Sequence, residues 1–150
     1  MNMVTRIADL KPHLDAARSF RSRAGAAIAD RLATRHIDND QRAAHGFAWI
    51  ATSVAALEAV LEWAEAGEDA NTLNAQVATL AFAETIAQLV GGLPMGQNEL
   101  LRPSDLGIGA AGQKLATACE ALLSADLAPV RAAVVDALTQ SRWPSETLHD

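Results

Sequence analysis

The chain has 150 residues, half of them hydrophobic and a fifth charged, which is the composition of one globular domain and not of a disordered segment. Its formal net charge of −6 lacks the basic footprint of a nucleic-acid binder, and its single cysteine, Cys119, excludes an intrachain disulfide and a cysteine-cluster zinc site. The first ten residues have no apolar signal core and no uncharged apolar run reaches the roughly 18 residues of a span, so a cytoplasmic protein with neither nucleic-acid nor membrane partners is expected.

Alanine dominates the apolar set, and alanine, leucine, arginine, glutamate and glutamine are strong helix formers, so the chain leans all-α before any periodicity is counted. A first helix is predicted from about Asp9 to Thr34, with Pro12 in its first turn. Leu10, Leu14, Ala17, Ala24, Ile28 and Leu32 fall at three- and four-residue steps, and Arg21 interrupts them. Gly25 inside that helix implies a close helix crossing. A turn at 35–40 offers Asp38, Asn39 or Asp40 as the cap of a second helix, from about Asp40 to Ala66.

The second helix carries two apolar seams, Phe47, Ile50, Val54, Leu57 and Leu61 on one side, and Trp49, Ala56, Val60 and Trp63 nearly opposite. Such a helix is central, or is shared between its own core and a second subunit. A third helix is predicted from about Thr72 to Val90, with Leu73, Val77, Leu80 and Ala87 on one stripe and Phe82, Ile86 and Leu89 beside it. Gly91-Gly92 ends it. Residues 93–107 read as a non-helical stretch long enough to need a reason. Helices from about Ala110 to Leu123 and Leu127 to Ser141 follow, the last with Asp126 as cap and Pro129 in its first turn, and 143–150 reads as a frayed tail. No strand is predicted. The expected fold is therefore an all-α antiparallel bundle of about five helices, the first three long, in one domain spanning 1–150.

Charge is uneven, +3 through Arg42 and −9 thereafter. That pattern suits a basic first helix beside acidic neighbours, or a surface that meets phosphate. The four histidines have no i, i+3 or i+4 pairing, so no metal site is expected. Gly107-Ile108-Gly109-Ala110-Ala111-Gly112 spells a G-x-G-x-x-G pattern but follows no predicted strand, so it is not read as a dinucleotide loop. Cys119, among alanines and leucines, reads as a buried inert thiol. Glu84 interrupts an apolar stripe, and His45 or Arg102 is its expected partner, as a structural ion pair or an acid–base pair.

Two segments carry a resemblance. One is Arg42-Ala43-Ala44-His45-Gly46-Phe47-Ala48-Trp49-Ile50-Ala51-Thr52. The other runs from Phe82 through Gly91-Gly92-Leu93-Pro94-Met95-Gly96-Gln97-Asn98-Glu99-Leu100-Leu101-Arg102 to Gly107. In this order they resemble the helical N-terminal extension of bacterial methylsuccinyl-CoA dehydrogenases, a branch of the acyl-CoA dehydrogenases. The sequence departs from that pattern at Gln41-Arg42, Ser53, Thr85, Gly96 and Asn98, which removes aromatic and hydroxyl groups. The resemblance implies a non-catalytic accessory or assembly domain, since the flavin (FAD) site and the catalytic glutamate of such enzymes lie in a downstream body. No cofactor is expected on this chain. The expected partner is a dehydrogenase body or a second copy, and the expected structural and docking residues are His45, Trp49, Glu84, Met95, Gln97, Glu99 and Arg102. An alternative is a bundle that holds an acyl-CoA or other apolar acid between the second and third helices.

Overall fold

The computed structural model describes residues 6–67 and 72–140. A 3-10 turn, Ile7–Leu10, leads into helix α1, Lys11–Leu32, with Pro12 in its first turn where a missing N–H costs nothing. The helix ends at Leu32, short of the expected Thr34. Its buried positions are Leu14, Ala17, Phe20, Ala24 and Ile28. The core stripe therefore steps through Phe20, which the sequence pattern missed. Arg21 lies beside the stripe, where its guanidinium meets Glu58 at 3.4 Å. At Gly25 a Cβ would come within 3.3 Å of the Phe47 ring, so the close crossing is real.

A 3-10 turn, Ile37–Asn39, precedes helix α2, Gln41–Ala66. The expected side-chain cap is not made: Asp40 occupies the cap position without such a bond and faces Arg35 at 3.6 Å instead. Ala43, Gly46, Ile50, Val54, Leu57, Leu61 and Ala64 form the buried face of α2. Lys11–Glu65 at 2.9 Å and Arg18–Glu58 at 2.8 Å join α1 to α2, so the basic first helix does lie beside acidic neighbours. The hydrogen bond from Arg18 holds the Glu58 carboxyl below its ordinary pKa. Exposed pairs of this kind add little stability.

Helix α3, Thr72–Gly91, buries Ala75, Ala78, Phe82, Ile86 and Leu89. Of the predicted stripe through Leu73, Val77, Leu80 and Ala87, only Leu73 is buried. Val77 and Leu80 are half-buried and Ala87 is exposed.

After α3 the sequence suggested no strand, yet β1, Leu93–Gly96, pairs antiparallel with β2, Glu99–Leu101. The alternation explains it: Leu93, Met95 and Leu101 turn inward while Pro94, Gly96 and Leu100 turn out. Such short strands leave little pattern, and the turn chemistry at Gln97-Asn98, with Asn98 at φ 64°, is easily missed.

A 3-10 turn, Pro103–Leu106, closes on Gly107 at φ 72°, a conformation that suits glycine. The expected helix over 110–123 is broken into α4, Gly109–Ala118, and α5, Glu120–Leu123. The break falls at Cys119, whose φ of −113° and ψ of 14° leave the helical region. His13 of α1 lies against the backbone of Ala118 at this break. Helix α6, Ala128–Thr139, begins where the Asp126 carboxylate accepts the Ala128 N–H at 3.0 Å. It has no fully buried residue. The predicted tail at 143–150 and the link between α2 and α3 at 68–71 lie outside the described residues.

Leu10, Phe20, Val54, Leu57, Phe82, Ile86, Leu89 and Leu115 join one hydrophobic core. Helix α2 is also long and apolar enough, by length and composition, to cross a membrane, with a mean hydropathy of 1.4 over 18 residues.

Candidate functional site

The two segments singled out in the sequence meet in space, and glycine is the reason. On α2, Gly46 is buried against Leu101 of β2, and a Cβ there would come within 2.7 Å of the leucine methyls. A larger residue would push the hairpin off the helix. His45, one residue earlier and about 100° around the helix, is exposed. The adjacent pair thus splits its work: Gly46 seats the hairpin and His45 faces outward.

Arginines fix the hairpin from below. Arg42 donates from Nη2 to the Leu100 carbonyl at 2.8 Å and from Nε faces the Glu99 carboxylate at 3.4 Å. Arg31 of α1 donates to the Asp105 carbonyl at 2.9 Å, and the Asp105 carboxylate accepts the Arg102 backbone N–H at 2.8 Å. The Arg42 contact gives a β2 carbonyl a side-chain partner, one way to blunt an exposed sheet edge. Arg31, Arg42 and Asp105 were not singled out by the sequence. The signal that was available is Asp105 three residues after Arg102, the spacing of a local cap.

The seven candidate residues divide. His45, Trp49, Gln97, Glu99 and Arg102 are exposed, on α2 and on or beside the hairpin. The Trp49 indole N–H donates to His45 Nε2 at 2.9 Å, with the rings edge-on at 81°. This contact fixes both side chains on the surface and makes Nε2 the acceptor.

Met95 is buried, 8% exposed, so it anchors the hairpin and presents no docking group. Glu84 is not a buried carboxylate and meets neither His45 nor Arg102. It is exposed and pairs with Arg131 of α6 at 3.0 Å. The reason is the helix phase: Glu84 lies on the side of α3 that α6 covers, away from the hairpin.

Cys119 is buried, and desolvation pushes its thiol up to about 11. The protonated thiol is a poor nucleophile. The G-x-G-x-x-G pattern straddles the start of α4 behind a 3-10 turn and follows no strand directly. Among the described residues no group of three or more His, Cys, Asp or Glu is placed to hold a metal ion. A groove of about 430 Å³ runs between α1 and α2, with Lys11, Asp15, Arg18, Glu58, Glu62 and Glu65 on its walls.

Comparison with known proteins adds one finding to this geometry. The chain is 35% identical over 81 residues to the (2S)-methylsuccinyl-CoA dehydrogenase of Cereibacter sphaeroides. It is related in part to an acyl-CoA dehydrogenase. The match takes in 52% of this chain, which spans only 15% of that curated relative. No family model matches the chain, and no solved structure matches it.

Proposed function

We propose that this chain is a non-catalytic helical module that docks on a dehydrogenase-type body, working in the cytoplasm. The observation that supports this reading is the partial match to methylsuccinyl-CoA dehydrogenase, confined to a small fraction of that enzyme. Its long helices are read as an antiparallel bundle, and the docking groups are the exposed His45, Trp49, Gln97, Glu99 and Arg102. A rigid surface suits docking because little side-chain freedom remains to be lost on binding. Here Gly46, Arg42 and the Trp49–His45 hydrogen bond supply the rigidity.

The groove between α1 and α2 is a poor match to a flavin. It is walled by four carboxylates against two cations, which would repel the flavin's pyrophosphate. The alternative of an acyl chain between α2 and α3 gains no support. Ile50, Val54, Leu57, Phe82, Ile86 and Leu89 already fill the core there, each at most 2% exposed.

The test is a calorimetric titration of the intact chain against the body of the C. sphaeroides enzyme lacking its matching region, with bound flavin confirming that the body is folded. Saturable binding, weakened at least about tenfold by Trp49→Ala with Leu100→Asp, is the expected result. A flavin-loaded body that does not bind would remove the docking reading. Turnover of an acyl-CoA thioester by this chain alone, with an electron acceptor, would remove the non-catalytic one.

A further inference from the structure

Helix α2 has an outer face that its own core leaves uncovered. Only 28% of its most apolar 18-residue window is buried. His45, Ala48, Thr52, Ala55, Ala59 and Glu62 are all exposed and follow one another at steps of three and four residues. This is the 3.5-residue period of a helix-packing seam, and its middle is lined by side chains small enough for a second helix to approach closely.

The seam reads the same way in reverse. Turn a second α2 end for end about the point between Thr52 and Ala55. Ala48 then faces Ala59, Thr52 faces Ala55, and His45 faces Glu62. Polarity follows the same symmetry. His45, whose Nε2 accepts from Trp49 and whose Nδ1 is therefore the donor, lies at the N-terminal end of the face, and the Glu62 carboxylate at the C-terminal end. A parallel pairing would set carboxylate against carboxylate. A two-fold antiparallel pairing sets an imidazole N–H against a carboxylate and also opposes the two helix dipoles. We infer that the outer face of α2 binds a second copy of this chain, antiparallel, across a two-fold axis.

The area sets the strength. Twenty-six residues make a strip about 39 Å long and about 10 Å wide. That is about half of the roughly 800 Å² per partner of a standard stable interface, so the dimer dissociates on dilution. This inference shares His45 with the docking reading above but rests on the middle of α2, and the Ala55→Arg and Leu100→Asp variants keep the two readings apart.

Sedimentation velocity of the full chain from about 1 to about 100 µM tests it. The expected result is a monomer–dimer equilibrium that Ala55→Arg abolishes with helicity and thermal midpoint unchanged. Leu100→Asp on the hairpin leaves the equilibrium as it is. His45→Glu weakens dimerisation about tenfold, and the exchanged variant His45→Glu with Glu62→Arg restores it. A monomer at every concentration overturns the inference, as does a dimer indifferent to Ala55→Arg. A monomer that binds anionic phospholipid vesicles through this face also overturns it and assigns the face to a lipid surface.

Discussion

The two faces of α2 are both largely apolar and have opposite fates. The inner face carries Ile50, Val54, Leu57 and Leu61, all at most 6% exposed, in contact with the rest of the core. The outer face carries Ala48, Ala55, Ala56 and Ala59, all exposed, with Trp49 at its edge. Side-chain size separates them. Large branched residues fill volume between helices, where a missing methylene leaves a void. Alanines on the far side favour the helix and leave a shallow surface. Apolar content alone does not say which face is core.

The comparison can be broken from the inside first. Leu57→Ala, at a position 1% exposed, should cost about 2–5 kcal/mol in denaturant unfolding. A cost under 1 kcal/mol would mean that the inner face is not close-packed. Gly46→Ala comes next. It gains helix propensity but drives a Cβ into Leu101, which is itself buried. A net loss of about 1–2 kcal/mol is expected, and it should shrink in a Leu101→Ala background, a coupling that a double-mutant cycle reads directly. Arg42→Ala should cost about 0.5–1 kcal/mol and raise hydrogen-exchange rates in the hairpin more than in α3, because the Leu100 carbonyl loses its partner.

The buried side also has a pH dependence. Burial lowers the His13 pKa from its ordinary 6.5, against smaller opposing effects of the Ala118 backbone and Asp9. The unfolded chain then binds the proton more readily. Stability should fall as pH drops below 6.5 towards the folded-state value, and His13→Gln should flatten that part of the curve. The smallest effect is predicted outside. Ala56→Lys should change stability by no more than about 0.5 kcal/mol by thermal unfolding. A larger loss would show that the outer face is packed within the monomer.

Legibility in the sequence followed the strength of the local signal. The long helices were readable because their apolar steps persist over many turns and proline or glycine marks most of their ends. The second apolar seam of α2 was readable as a seam, but not that Val60 and Trp63 pack against the core while Trp49 and Ala56 are exposed. Glu84 shows the limit. Its place in an apolar stripe suggested a buried carboxylate, but α3 has two adjacent stripes, and only packing selects the one through Phe82 and Ile86. The hairpin was hidden because seven strand residues carry too little alternation to stand out. The break at Cys119 was hidden because nothing local marks it.

By itself the sequence determined that this is a mostly helical chain, where its long helices run, and that 93–107 had to be something other than a continuation of the third α-helix. Those features depend on neighbours within a few turns. Tertiary structure alone decided that Gly46 makes room for Leu101, that Arg42 ties α2 to the hairpin and Arg31 ties α1 to the turn after it, that Glu84 answers to Arg131, and that one apolar face of α2 is core while the other meets solvent. Each of these joins residues far apart in the chain, and their pairing depends on the phase and approach of whole elements, which no local pattern encodes.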